Sequence, residues 1–317
     1  MLLLGACKAE PAQTPDWTEA TSPPPAEAPA TEQQPVEPEK KEAPSPIEGE
    51  GVRFMAYNVY NYLTMRRGQT EAPKPEEEKA ALVKIIVAER PDVLGVCEIG
   101  SRADLMDLQE RLKEAGLPLA HAEHICGSDG TRCLGLLSRF PITATNSQDN
   151  LSYELQGITW GLRRGLLDAT VDTGDRKLRF VGCHLKSKRE IKDADQELIR
   201  QSEAQLVRDH AEQILAQNPD EMLLVYGDFN DTIKTKSLSI LKGHYKARNH
   251  LADYYFTDSR GELWTHFWNY QDVYSRFDYI LHTRNLRALI DGENSYIVDH
   301  EDWRTASDHR ALLMTIK

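Results

Sequence analysis

No stretch of the 317-residue chain approaches the roughly 20 consecutive apolar residues of a membrane-spanning helix, so nothing in it reads as a transmembrane segment. Cys-x-x-Cys pairs are absent, which removes the common structural zinc sites. There is no G-x-S-x-G of an acyl hydrolase, no P-loop, no Rossmann glycine pattern and no internal repeat at a solenoid period. Basic charge is scarce too: 38 Lys and Arg stand against 50 Asp and Glu, for a net charge of −12. Residues 8–50 carry −7 of that, which leaves −5 for residues 51–317. Such mild acidity argues against a strongly basic nucleic-acid platform. It leaves room for a phosphate substrate, because a bound cation can dominate the local field.

What is present divides the chain into three parts. Residues 1–7, Met-Leu-Leu-Leu-Gly-Ala-Cys, resemble the end of a bacterial lipoprotein signal, with Leu4-Gly5-Ala6 directly before Cys7. They depart from it in lacking a basic n-region and in the shortness of the apolar run. In that family the cysteine becomes the lipidated N-terminus, so the resemblance implies a lipid anchor on Cys7 and an extracytoplasmic cell-envelope protein, at the outer membrane or cell surface. Residues 8–50 hold ten of the 16 prolines and almost no large apolar residues, and read as a disordered Pro/Ala/Glu-rich tether. Residues 51–317 read as one folded domain, expected to be monomeric and to meet the membrane only through the anchor. Cys126 and Cys133 flank the turn-forming run Gly127-Ser128-Asp129-Gly130; a small disulfide-closed loop is one reading and free thiols the other. Cys97 and Cys183 sit in apolar runs and read as buried thiols.

Within the domain, Val52–Tyr57 reads as a strand, Glu76–Arg90 as a helix, Asp92–Cys97 as a strand and Asp104–Ala115 as a helix ending at Gly116. Leu134–Ser138, Leu166–Val171 and Leu178–Cys183 are further strands, followed by a long polar helix over about 193–217. Then comes Met-Leu-Leu-Val-Tyr-Gly-Asp-Phe-Asn-Asp, residues 222–231, an apolar run that breaks at Gly227 into polar residues. Strands at Leu263–Phe267, Phe277–Leu281, Ser295–Val298 and Ala311–Ile316 complete the pattern. Five apolar strands thus deliver a potential ligand, acid or base at or near their ends: Asn58, Glu98, His184, Asp228 with Asn230, and Asp308 with His309. Asp278 differs in lying within its strand, where a carboxylate usually needs a partner.

Glu98, Asp308, Asp228, Asn58 and Asn230 are hard oxygen donors, suited to magnesium or manganese, with calcium as a further candidate, rather than zinc. Two histidines among carboxylates offer proton transfer near neutral pH. Together these suit hydrolysis of a phosphate ester. The set Tyr57-Asn58, Val96-Cys97-Glu98, Cys183-His184-Leu185-Lys186, Gly227-Asp228-Phe229-Asn230-Asp231, Phe277-Asp278-Tyr279-Ile280 and Ser307-Asp308-His309 resembles, in order, the motifs of the endonuclease/exonuclease/phosphatase superfamily. Leu137-Ser138-Arg139-Phe140-Pro141-Ile142 is similar to its recurrent strand-and-turn segment. The resemblance covers residues 52–317 and implies an α/β fold, a four-layer sandwich of two mixed β-sheets flanked by helices.

Carried over position by position, the resemblance implies Glu98 as principal metal ligand with Asn58 and Asp308 beside it, and His309 as general base held by Asp278. Asp228 and Asn230 would contact the nucleophile and phosphoryl oxygens, and His184 would act from the far side. Lys186, Lys188 and Arg189 are candidate phosphate contacts or a solvated loop; Arg163 and Arg164 carry the same two readings. Asn58 also reads as a turn residue, Asp231 as a turn or cap, and the remaining histidines, His266 among them, as surface or packing. Trp264, Trp268 and Tyr270 read either as cleft or as core. The expected activity is a metal-dependent phosphodiester hydrolase, foremost an extracytoplasmic nuclease acting on nucleic acid. A phosphatase or phospholipid or sphingomyelin phosphodiesterase of the same fold, and an inactive anchored binding lipoprotein, are the alternatives. A calcineurin-like phosphatase also fits G-D-x-x-D, but its D-x-H and G-N-H partners are missing.

Overall fold

A computed structural model describes residues 51–317; Cys7, the lipoprotein-like segment and the tether lie outside the described residues. Two six-stranded mixed sheets form the frame. In spatial order the first contains Ile290–Ile297, Leu312–Ile316, Val52–Tyr62, Val93–Ile99, Cys133–Ser138 and His121–Ile125. The second contains Ala252–Asp253, Asp278–His282, Leu223–Asp228, Lys177–His184, Leu167–Asp172 and Ile142–Thr145. One parallel pair lies at the heart of each sheet: Val52–Tyr62 with Val93–Ile99, and Lys177–His184 with Leu223–Asp228.

Strand alternation builds the layers. Phe54, Ala56 and Cys97 of the first sheet meet Phe180, Leu224, Tyr226 and Ile280 of the second, and Phe54 packs against Phe180 and Tyr226 at ring separations of 4.7 and 4.9 Å. The opposite face of the first sheet is covered by the helices Glu76–Glu89 and Arg102–Glu114 through Leu82, Ile86, Leu105 and Leu108. The opposite face of the second is covered by Gln196–Gln217 and Lys236–Lys242 through Val207, Ala211, Leu238 and Leu241. Helix, sheet, sheet, helix is the expected four-layer α/β sandwich. The sheets approach closely where side chains vanish: a Cβ on Gly95 would lie 2.2 Å from the Tyr226 ring.

The long polar helix begins at Gln196 because Asp195 accepts hydrogen bonds from the backbone N–H groups of Glu197 and Leu198. Cys126 and Cys133 are disulfide-bonded, while Cys97 and Cys183 are buried thiols. Asp278 is the first residue of its strand rather than an interior one. The expected strand at 263–267 is a hairpin instead, His266–Trp268 paired with Val273–Ser275.

Candidate active site

The period of two that makes the core also makes the site. On the inter-sheet face Ala56 is followed by Asn58, Gly182 by His184 and Tyr226 by Asp228, while Asp278 precedes Ile280. Each polar residue therefore continues the core-facing row one step past the last apolar residue, at the same end of the two sheets. Across the second sheet His184 is in register with Asp228, and Asp228 with Asp278.

Glu98 reaches this end by a different route. Simple alternation after Cys97 would turn it toward the outer helices. Its backbone instead adopts φ 62°, and the register with both neighbouring strands slips there, so Ile99 takes the outer core position. The Glu98 carboxylate then accepts from the Asn61 N–H at 3.0 Å and lies 3.8 Å from Arg132 Nε. Gly227 allows the turn in front of Asp228: with φ +136°, any Cβ there would stand 1.9 Å from the Cys183 carbonyl oxygen.

The eight residues expected to form the site come together. Asn58 Nδ2 donates to Asp228 Oδ2 at 3.1 Å and lies 3.5 Å from Glu98 Oε1 and 3.4 Å from His309 Nε2. Asn230 donates to Asp228 through its backbone N–H (2.8 Å) and Nδ2 (3.1 Å), and to the Leu185 carbonyl. His184 Nε2 stands 3.4 Å from Asp228 Oδ2 and 4.0 Å from Glu98 Oε1. His309 Nδ1 donates to Asp278 Oδ2 at 2.7 Å, which turns Nε2 toward Asp228 (3.7 Å) and Asp308 (3.9 Å). The His309 loop is tied to the first sheet by Ser307, whose hydroxyl donates to the Asn58 carbonyl and accepts from the His309 N–H.

Charge in this cluster is unbalanced. Burial pushes the Asp228 carboxyl up to about 7, with Asp278 and Glu98 adding to the rise against the opposing pull of His309. Burial likewise raises Asp308 to about 6. Burial disfavours the His309 cation, but Asp278, Asp228 and Asp308 outweigh it and hold the imidazole protonated well above its ordinary range. His184 goes the other way: burial, then Arg164, His309 and Arg132, hold it neutral. Three carboxylates thus face one imidazolium, with Glu98 close by, and the buried Asp308 Oδ1 accepts no hydrogen bond. The carboxylate oxygens of Glu98 and Asp308 fit a hard divalent cation, while Asn58 presents Nδ2 to the cluster and its Oδ1 accepts from the Tyr60 N–H.

The remaining expectations divide. Lys186 is buried and its ammonium donates to the Ser187 and Arg189 carbonyls, away from the cluster. Lys188 is drawn to Asp231 at 2.7 Å. Asp231 itself is no cap: it is the buried partner of Arg200, Lys188 and Ser237. Arg164 is buried with Nε and Nη1 free of hydrogen bonds, beside His184. His266, read as surface or packing, stands 3.9 Å from Asp308 Oδ2 with its ring 4.7 Å from that of His309. No sequence signal separated it from the other histidines; a bridge between His266 and His309 backbones places it. A second cluster, His124 with Cys126 and Cys133, has both thiols in the disulfide and so cannot offer thiolates.

Comparison with known proteins follows the same lines. The sequence model of the Endonuclease/Exonuclease/phosphatase family matches residues 55–309. No curated protein sequence matches. Among solved structures, an endonuclease/exonuclease/phosphatase family protein from Leptotrichia buccalis is similar at TM-score 0.57 and 16% identity, over 84% of this chain and 99% of that one. The human Nocturnin catalytic domain with bound sulfate gives 0.59 and 17%, over 84% and 94%. D. rerio TDP2 complexed with single-strand DNA product gives 0.59 and 17%, over 85% and 100%. At these identities the likeness is one of fold.

Proposed function

Because the chain belongs to the endonuclease/exonuclease/phosphatase family, we propose that it is a divalent-cation-dependent phosphodiester hydrolase, a nuclease that acts outside the cytoplasm. The observation that carries this reading is the His309–Asp278 pair, whose Nε2 opens onto Asp228, Asn58 and Asp308.

Asp278 fixes the His309 tautomer by accepting from Nδ1–H, so Nε2 is the atom that takes a proton from an attacking water. That role needs a neutral ring. Asp278, Asp228 and Asp308 favour the charged ring, so charge taken up by a bound cation would favour the neutral one. Magnesium or manganese, with calcium as a weaker candidate, would neutralise charge on the phosphoryl oxygens when bound by Glu98 and Asp308. Asp228 and Asn230 orient the nucleophile and phosphoryl group. Neutral His184 donates a hydrogen bond to charge developing on the phosphate, and the Arg164 guanidinium, 3.6 Å from Asp129 with Nη1 free of hydrogen bonds, gives the phosphate a second donor.

Hydrolysis of DNA, RNA and bis(p-nitrophenyl) phosphate with magnesium or manganese, with and without EDTA, tests this. Activity that survives EDTA, or that is identical in His309→Ala, overturns it. The disulfide supports the extracytoplasmic placement, since such bonds persist in oxidising compartments. Anchoring through Cys7 predicts a membrane-associated monomer that Cys7→Ser releases to the soluble fraction; an unchanged distribution removes the anchor from the reading.

A further inference from the structure

Beyond His266, the hairpin His266–Ser275 carries aromatic residues that make no contact with the His309 and Asp228 cluster. Strand alternation puts Trp268 on the same face as His266, roughly 7 Å farther along. The other face is rooted: Phe267 stacks on Tyr274 at 4.5 Å, and Trp303 and the Arg304 guanidinium pack against Phe267. Trp268 is 47% exposed and Tyr270, at the tip, 86%. With Tyr60, Trp303, Arg304 and Asp308 they line a groove of about 590 Å³ that runs directly off the carboxylate cluster. Large aromatics at this exposure are costly in a soluble surface unless something covers them.

The groove's chemistry selects the occupant. Arg304 has no carboxylate partner among the described residues; its contacts are the Tyr274 hydroxyl and the Phe267 and Trp303 rings. A free cation beside flat aromatic faces suits a chain of phosphates and bases. A lipid bilayer suits it poorly, because the tip sequence Asn269-Tyr270-Gln271-Asp272 would carry an amide pair and a carboxylate into the apolar layer. Duplex bases are stacked on one another and offer no free face to a side chain.

We propose that this groove is a subsite for single-stranded nucleic acid, in which bases next to the scissile phosphate stack on Trp268 and Tyr270 and an adjacent phosphate meets Arg304. The inference rests on the hydrolase reading and narrows its substrate from nucleic acid to single strands.

Fluorescence anisotropy with a labelled ten-nucleotide oligothymidylate tests it, on the full chain carrying His309→Ala to prevent cleavage. Added Trp268→Ala with Tyr270→Ala is expected to raise Kd at least about tenfold, as loss of aromatic stacking does. Trp268→Phe should keep most of the affinity, which separates stacking from misfolding. Arg304→Met should lower the salt slope by about 0.7. Tyr245→Ala, an exposed aromatic outside the lining of this groove, should bind as the parent does. A blunt duplex should bind at least about tenfold more weakly than the single strand. Unchanged Kd in the double alanine variant, equal duplex binding, or binding of phosphatidylcholine vesicles in place of the oligonucleotide overturns the proposal. Hydrolysis of bis(p-nitrophenyl) phosphate by the unmodified chain, which needs no base, reports on the hydrolase reading separately.

Discussion

Asp228 and Asp231 are three residues apart on one turn, both almost fully buried, and their surroundings drive them in opposite directions. Around Asp231 the fold assembles Arg200 Nε at 3.0 Å, Lys188 Nζ at 2.7 Å and the Ser237 hydroxyl at 2.7 Å. Burial pushes its carboxyl up, but these donors outweigh burial and bring it down to about 2. Around Asp228 there are amides, two imidazoles and further carboxylates, and burial lifts it to about 7. A carboxylate supplied with cations stabilises the fold. One left among other carboxylates has no counter-charge to offset its burial, the pattern expected of the proposed functional site as opposed to a structural ion pair.

The sharpest way to break that comparison is to neutralise each member. Asp228→Asn and His309→Ala are expected to lower kcat/KM on bis(p-nitrophenyl) phosphate by about 10²–10⁴-fold or more, the range for loss of a positioned base or its partner. Asp231→Asn should leave the residual folded enzyme within about threefold of the parent, because none of its hydrogen bonds reaches the His309 cluster. Equal losses at both positions would mean that the turn acts as one unit.

Stability should reverse the ranking. Asp231→Ala strands the Arg200 guanidinium, which is 1% exposed, without its counter-charge, and breaking such a buried pair costs about 3–5 kcal/mol. Asp228→Asn removes a repelled charge and should cost less than about 1 kcal/mol or increase stability. Urea unfolding of the two variants checks the pair.

How far these roles could be read from the sequence follows the same division. Asn58, His184, Asp228 and Asp278 were legible because each extends an apolar period-two row, and a row carries its own direction. Glu98 was legible only as a strand-end carboxylate; its left-handed φ and the slipped register that aim it are three-dimensional. Lys186 shows the limit: it follows His184 in sequence, yet its ammonium is taken up by two backbone carbonyls of its own loop. His266 enters the site through a hairpin whose short strands carry too few residues for periodicity to show. The helix, expected over about 193–217 and found at Gln196–Gln217, was visible because it rests on many residues, whereas the four-layer sandwich was implied by the family resemblance.

Cation binding should sharpen the comparison from the side of Asp228. Magnesium at about 100 times its Kd is expected to stabilise the parent by about 2.7 kcal/mol, seen as a raised thermal midpoint. Glu98→Gln should lose that increment while Asp231→Asn keeps it. A midpoint that rises equally in Glu98→Gln would place the cation elsewhere.

The effect confined to the narrowest range of conditions comes from pH. An unfolded aspartate titrates near 3.9, and Asp231 in the fold near 2, so between those values the unfolded chain binds the proton more strongly. Its contribution is therefore complete above about pH 4 and disappears as pH falls through about 2, amounting to roughly 2–3 kcal/mol. Asp228, raised instead of lowered, gives a leg of the opposite sign in EDTA: its contribution is present below about pH 4 and is lost as pH rises toward 7. Other buried carboxylates such as Asp168 add to the acid leg, so the readout is the difference between parent and variant. Subtracting the Asp231→Asn curve should leave a step between pH 4 and 2. Subtracting the Asp228→Asn curve should leave one between pH 4 and 7 of the other sign, and two steps of the same sign would mean that the two carboxylates share one environment after all.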